Sequence, residues 1–379
     1  MVRFMAIRQI SIEGYRSLQK VELELSSQIN LITGPNGSGK SNIYKAIRLI
    51  AQTPRGRFAE SLAKEGGMPS IMWAGERRRA NFNKEETRLQ LAVETDAFSY
   101  SLACGFPPNI PPSMFALDPE IKEEFVWLGQ KRRPSTTVLE RKQNTAFITD
   151  VEGNRQSYPF CLNFSESVLS QLKDPHKYPE IMSLALELSN WRFYHNFNTN
   201  EDSIIRYPQV CTRTPVIADD GNDLAAALQT ILEIGDEERL HYFIEMAFPG
   251  SRLIIRDSYG NANFDVLFEM HGILRPLTIR EFSDGTIRYL CLLAALLSPR
   301  PPSVMVLNEP EMSLHPELIE PLALLITEAS LNSQVIITTH SALLQKYLLQ
   351  QELEVKIINL YMNKFGTSIN SDIDIKKDE

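Results

Sequence analysis

The run Gly34-Pro35-Asn36-Gly37-Ser38-Gly39-Lys40-Ser41 constrains this chain more than any other stretch. It follows a short apolar segment, Ile29 to Thr33. It precedes Ser41 to Ile50, in which Ile43, Ala46, Ile47 and Ile50 recur at helical spacing. Strand, glycine-rich turn and amphipathic helix, in that order, make a loop that wraps an anion. Glycines let backbone N–H groups turn inward without a Cβ in the way. The helix that starts here adds the positive end of its dipole. Lys40 suits the outer phosphates of a nucleotide, and the Ser41 hydroxyl suits a magnesium ion. An ordinary glycine turn is the plain alternative, and the flanking strand and helix count against it.

Both ends of the chain read as α/β. Val21, Leu23 and Leu25 alternate with Glu22 and Glu24, which predicts a strand with one buried face. Beyond Arg280, Thr286 to Leu297 reads as a buried helix, Ser303 to Leu307 as a strand, Pro316 to Leu331 as a helix and Gln334 to Thr338 as a strand. Strands alternating with helices imply a mainly parallel sheet. Residues 1–60 and 275–365 are therefore expected to form one composite core, with 61–274 inserted and 366–379 a polar tail. Within the insertion the pattern is weak from Thr53 to Pro134. Phe164 to Phe197 reads as helical, divided by Pro175 and Pro179, and Asp220-Gly221-Asn222-Asp223 can cap a helix over LAAALQTILEI. No internal repeat or sustained heptad pattern predicts a long coiled-coil arm.

Composition narrows the classes. With 43% hydrophobic and 23% charged residues the 379-residue chain is globular. No stretch approaches the roughly 18 uncharged apolar residues of a membrane span. The opening MVRFMAIRQISIEGYRS has no apolar core of a signal peptide. The four cysteines, Cys104, Cys161, Cys211 and Cys291, lack both zinc spacing and a disulfide context. A cytoplasmic protein with no membrane association is expected. A net charge of -8 argues against a generally basic, nucleic-acid-coating protein. DNA contact would need a local patch, and Arg77-Arg78-Arg79 and Lys131-Arg132-Arg133 are the candidates, though such runs are commonly solvated surface. Trp191, Phe193, Tyr194 and Phe197 are read as a helix packed on the sheet rather than a stacking platform.

Three further constellations bear on chemistry. In Val304-Met305-Val306-Leu307-Asn308-Glu309-Pro310-Glu311 an apolar strand ends in acidic and polar residues. Glu309 is suited to orient and partly deprotonate a water molecule, and a solvated acidic turn is the bland alternative. Glu281-Phe282-Ser283-Asp284-Gly285-Thr286 opens an apolar helix, as a plain N-cap or as an anion site. Thr339-His340-Ser341 ends the strand that follows the acidic one by a single helix, which points both strand ends at one crevice of a parallel sheet.

This ordered set resembles the ABC ATPases, and more closely the SMC/RecF-like branch and the bacterial predicted ATPases of the AAA-type ATP-binding group. IEGYRSL resembles that branch's opening strand, and Asn308 to Pro316 (NEPEMSLHP) its acidic strand and D-loop. GGMPSIMWAG, WRFYHNF and IADDGNDLAAALQTI resemble the central region of the AAA-type group. The resemblance implies a P-loop NTPase: an ABC-type ATPase head with a mainly parallel sheet, additional antiparallel strands and an inserted helical lobe. It implies ATP and Mg²⁺ as ligands. Gly34, Asn36, Gly37, Ser38, Gly39, Lys40, Ser41 and Asn42 match the Walker A loop, and Arg16 of GYRSL matches a nucleotide-contacting position. Ser283, Asp284 and Gly285 match the signature motif, Glu309 the catalytic glutamate and His340 the switch histidine. Ser41 and Asn308 fall at the metal positions. In ABC ATPases the signature of one subunit covers ATP on the other, so an ATP-dependent homodimer is implied, with DNA repair, chromosome maintenance or defence as the work done. Two departures stand out. Asn308 occupies a position where most such strands carry aspartate, so it offers no charge to Mg²⁺, which keeps a nucleotide-gated binding module with little hydrolysis open beside the ATPase. The Q-loop glutamine has no clear counterpart, Gln143 being one candidate.

Overall fold

The computed structural model describes residues 5–75, 88–107, 114–258, 260 and 262–370. The chain divides into two compact units, residues 1–191 with 356–379, and residues 192–355.

In the first unit β1 (Ile7–Tyr15) and β2 (Leu18–Glu24) pair antiparallel, with Ile12 opposite Val21. Val21 and Leu23 are buried while Glu22 and Glu24 are exposed, the two-residue period of a half-buried strand. After β3 (Ile29–Thr33) comes α1 (Lys40–Gln52), whose Ile43, Ala46, Ile47 and Ile50 are all fully buried. Each of those isoleucines stabilises the fold by about 1.5–3 kcal/mol. The helix stops before Pro54, which cannot continue it. Short helices α2 (Phe58–Lys64) and α3 (Gly67–Ile71) follow. The weakly patterned stretch after Thr53 then supplies β4 (Arg88–Thr95), β5 (Phe98–Gly105) and β6 (Glu120–Leu128). With β7 (Thr137–Lys142), β8 (Thr145–Thr149) and β9 (Arg155–Ser157) they complete an eight-stranded antiparallel sheet ordered β2-β1-β4-β5-β6-β7-β8-β9.

An ion pair closes this unit's interior. Glu124 of β6 and Arg141 of β7 are both fully buried and lie 3.6 Å apart. Desolvation raises the Glu124 carboxyl above its usual range, while Arg141 opposes the rise. Glu124 accepts from the Tyr100 hydroxyl at 2.9 Å and from Val168 N–H at 3.0 Å, and Arg141 donates to the carbonyl oxygens of Asn163 and Glu166. A buried pair contributes little net energy, yet it fixes where its partners go. Here it anchors the segment entering α4 (Val168–Gln171) to the sheet; α5 (Pro179–Asn190) follows.

The second unit begins with β10 (Arg192–Tyr194). Phe164 to Phe197 is thus two helices and then a strand, not helix throughout. Trp191, Phe193, Tyr194 and Phe197 are 1–3% exposed, but Phe193 and Tyr194 are ordered by parallel pairing with β15 rather than by a helix. A three-residue parallel strand leaves no periodic signature. Next come β11 (Gln209–Val210), α6 (Leu224–Ile234), α7 (Glu237–Ala247), β12 (Ser251–Ser258), β13 (Asn263–Met270) and β14 (Leu277–Thr278). Asp223 stands before α6, but its carboxylate accepts from Ala218 N–H and makes no cap bond. Then α8 (Asp284–Leu296), β15 (Val304–Asn308), α9 (Ile319–Ala329), β16 (Gln334–Thr338) and α10 (Ala342–Leu349) alternate as the sequence predicts. β10 and β16 flank β15, all parallel, and every residue of β15 and β16 is buried, as expected of strands covered on both faces. Finally β17 (Val355–Asn363) and β18 (Gly366–Asn370) form an antiparallel hairpin, and β17 neighbours β3.

Candidate functional site

The candidate residues fall into two groups, one in each unit. In the first unit the glycine loop is built from backbone. Gly34, Gly37 and Gly39 have φ of 146°, 80° and 104°, values strained for any residue with a Cβ. A Cβ on Gly34 would lie 2.4 Å from the Leu360 carbonyl oxygen, and one on Gly39 would lie 2.3 Å from Thr367 Oγ1. The β17–β18 hairpin therefore leaves room only for glycine at these two positions. Lys40, 5% exposed, donates from Nζ to the carbonyl oxygens of Gly34 at 2.6 Å and Pro35 at 3.1 Å. Ser38 is buried, and its hydroxyl has no hydrogen-bond partner. α1 opens with no side-chain cap. An uncapped helix start, an ammonium folded over the loop and an orphaned hydroxyl fit a polyphosphate. Asn36 and Ser41 are exposed on this loop.

Arg16 joins the group through its neighbour. Asn42 donates to Ser17 Oγ at 2.9 Å, and Ser17 shares a hydrogen bond with Thr367 Oγ1 at 2.9 Å. Arg16 itself has φ 48°, its Nη2 lies 2.7 Å from Glu65, and its Nε is buried without a partner. Glu65 also accepts from the Tyr15 hydroxyl at 2.7 Å, so the guanidinium is fixed in place.

In the second unit the acidic turn is held by side chains. Glu309 has φ 49° and Ser313 φ 63°, left-handed values that cost a non-glycine residue on the order of 1 kcal/mol or more. Glu309 N–H donates to the Thr338 carbonyl at 2.8 Å, and its own carbonyl accepts from Arg288 Nη2 at 3.1 Å. Arg288, on α8 and 3% exposed, also reaches the His195 carbonyl at 3.0 Å and Asn196 Oδ1 at 3.2 Å. Burial lowers its pKa, because desolvation disfavours the cation. His340 Nδ1 lies 3.7 Å from Glu309 and 3.8 Å from Glu311. Glu311 accepts from Thr339 Oγ1 at 2.6 Å and from His340 N–H at 3.3 Å. Glu309 and His340 are thus brought together as the sequence predicts.

Asn308 is more committed than the sequence suggests. Its Oδ1 accepts from Thr338 Oγ1 at 2.6 Å, and its Nδ2 lies 2.6 Å from His195 Nδ1. The residue is 2% exposed. As a carbonyl oxygen, Oδ1 carries a second lone pair beyond this bond. Ser283 caps α8, its Oγ accepting from Thr286 N–H at 3.2 Å. Asp284 binds Arg206 Nη2 at 2.6 Å. A Cβ on Gly285 would lie 2.8 Å from the Ser313 carbonyl oxygen, so α8 presses against the acidic turn there.

Sequence reasoning missed Arg206, Arg288 and His195. Their partners are mostly backbone carbonyls and an amide far away in sequence; WRFYHNF, which contains His195, was recognisable as a motif without a role. The cluster Arg77–Arg79 lies outside the described residues. Lys131–Arg133 is exposed, with Arg132 stacked on Phe125 at 3.9 Å. Gln143 sits exposed in the β7–β8 turn with φ 53°. Among the described residues no helix is long and apolar enough to cross a membrane.

A phosphate loop between strand and helix, with parallel strands ending in Asn-Glu and in Thr-His, defines a P-loop NTPase of the SMC/RecF-like class. The family described as "AAA domain, putative AbiEii toxin, Type IV TA system" matches residues 29–344, and the chain belongs to it. Similar sequences include the DNA replication and repair protein RecF of Xanthomonas axonopodis pv. citri (strain 306), 41% identical over 64 residues, 16% of this chain and 17% of that one. Structural maintenance of chromosomes protein 3 of Arabidopsis thaliana is 33% identical over 111 residues, 26% of this chain and 9% of its own length. The matches thus span less than a fifth of either relative. The crystal structure of the SmcHead bound to the C-winged helix domain of ScpA shares the fold, with a TM-score of 0.57 at 16% identity over 96% of this chain and 97% of that one. The Smc head domain with a coiled coil and joint from Pyrococcus yayanosii gives a TM-score of 0.54 at 11% identity, covering 97% of each.

Proposed function

We propose that this chain hydrolyses ATP, and that ATP closes two copies into a dimer which hydrolysis reopens. The observation that carries the reading is the turn holding Glu309. Its left-handed backbone is tied at the N–H by Thr338 and at the carbonyl by Arg288, with the carboxylate 3.7 Å from His340. A carboxylate so held can orient and partly deprotonate a water, and the imidazole can contact a γ-phosphate. Gly34 to Ser41 would hold the polyphosphate, with Lys40 leaving its own loop carbonyls for the β- and γ-phosphates and Arg16 assisting. Mg²⁺, when bound, neutralises charge on those phosphates; Ser41 and the free lone pair of Asn308 are the groups this chain offers it. Ser283 and Gly285 of one copy would cover the nucleotide of the other, because each motif occurs once per chain. On this reading residues 1–60 and 275–365 make the ATPase core and 61–274 the insertion, acting in the cytoplasm; the expected tail begins later than 366, because Gly366–Asn370 is the β18 strand.

Steady-state phosphate release tests the catalytic half. Wild-type protein should turn over ATP, Lys40→Ala should fall to background, and Glu309→Gln should lose roughly 10²-fold or more in rate at unchanged ATP affinity. Wild-type release equal to that of Lys40→Ala overturns hydrolysis. The second reading, a nucleotide-gated binding module with little turnover, would then hold; the committed, uncharged Asn308 favours it. DNA as an activator is suggested by the RecF relative and the exposed Lys131–Arg133, and is tested by running the same assay with and without duplex DNA.

A further inference from the structure

The signature position carries an acid where it is meant to receive an anion. Asp284 opens α8, where a carboxylate favours the helix but repels an approaching phosphate. It is 60% exposed, so its charge faces solvent.

Arg206 answers that charge. It ends the short turn Ile204–Arg206, and its side chain is 8% exposed. Nη2 donates to Asp284 Oδ1 at 2.6 Å. The rest of the guanidinium binds backbone: Nε to the Thr199 carbonyl at 2.8 Å, and Nη1 to the carbonyls of Phe282 at 2.9 Å and Arg280 at 3.2 Å. One side chain thus cancels Asp284 and fixes the backbone on both sides of residue 281. Glu281 is itself locked by Arg275, with hydrogen bonds of 2.7 and 2.9 Å, and its carboxyl is pulled down to about 2.

In front of this turn opens a cavity of about 800 Å³, lined in part by Asn200, Tyr207, Arg280 and Ser283. The Glu201 and Asp284 carboxylates also line this cavity; Asp284 is paired with Arg206, and Arg280 stacks 4.2 Å over the Tyr207 ring, its charge acting on the Asp265 carboxyl. Ser283 is exposed at the same cavity.

We propose that Arg206 is a positioning residue of the signature: it cancels Asp284 and fixes the 280–284 turn, so that Ser283 and the cavity accept the polyphosphate of a nucleotide bound to a second copy. The proposal rests on the dimer reading above. Without Arg206, Asp284 and the polyphosphate are like charges in close approach, which opposes association.

The test uses the Glu309→Gln protein with ATP and Mg²⁺, its self-association followed by sedimentation. Adding Arg206→Gln should weaken dimerisation roughly tenfold or more, while the ATP affinity of the monomer stays unchanged. Adding Asp284→Asn to that variant should restore dimerisation to near the parent value. The single change Asp284→Asn, with Arg206 intact, should dimerise as tightly as the parent or more tightly, and it carries the test if Arg206→Gln folds poorly. Undiminished dimerisation of Arg206→Gln overturns the proposal, as does weakened dimerisation of Asp284→Asn. Failure of Asp284→Asn to rescue reduces Arg206 to a fold brace. A Glu309→Gln parent that stays monomeric refutes the dimer reading itself, and this proposal with it.

Discussion

The glycine loop at Gly34–Ser41 and the acidic turn at Asn308–Ser313 both bend the backbone into left-handed conformations, by opposite means. In the loop, Gly34, Gly37 and Gly39 take positive φ at no steric cost. In the turn, Glu309 and Ser313 take it against a penalty, and Arg288, Thr338 and a packed Gly285 hold them there. Strain maintained by surrounding side chains is a common property of residues that act on a substrate. The loop should therefore fail outright when Gly34 or Gly39 acquires a Cβ, whereas the turn should fail by degrees as its supports are removed.

Gly39→Ala is expected to have the largest effect. It combines φ of 104° with a Cβ only 2.3 Å from Thr367 Oγ1, so nucleotide affinity should fall roughly a hundredfold or more, a loss of about 3 kcal/mol. Gly37→Ala meets nothing within 4 Å and pays only the φ cost of about 1 kcal/mol. Titration of both variants with ATP checks the contrast; equal losses would mean that packing against the β17–β18 hairpin does not shape the loop.

Next is Arg288→Gln. Three carbonyl or amide oxygens lose charge-assisted donors, so stability should drop by about 2–3 kcal/mol. Turnover should fall further than ATP affinity, because the Glu309 carbonyl is released. A variant that melts earlier yet keeps its normal turnover would show that Arg288 braces the fold alone.

Asn308→Asp should have the smallest net effect, since it pulls two ways. A carboxylate adds charge for Mg²⁺, so half-saturating Mg²⁺ should fall and turnover rise. It also replaces the Nδ2 donor facing His195, which should cost about 1–2 kcal/mol of stability. Unchanged Mg²⁺ dependence and rate would remove Asn308 from the account of metal binding.

How much of this was legible from sequence depended on the source of order. β3, β16 and α1 are punctuated apolar segments, and the reading placed them to within a residue or two. β4 carries its own alternation, in Leu89, Leu91 and Val93, but only eight residues of it among weakly patterned neighbours. β10 reads as helix in the sequence because a buried three-residue strand has no period of its own. The glycine loop was legible because its chemistry is local. The supports of the acidic turn and of the 280–284 turn were not, because Arg288 and His195 at the first and Arg206 at the second act on groups distant in sequence. Nothing in an isolated arginine announces which carbonyls it will meet.

The most direct measurement is the mass of the Glu309→Gln protein in solution, by light scattering, without nucleotide, with ATP and Mg²⁺, and with ADP and Mg²⁺. A dimer that forms with ATP and is absent in the other two conditions is the predicted result. A monomer under all three would contradict the nucleotide-switched dimer.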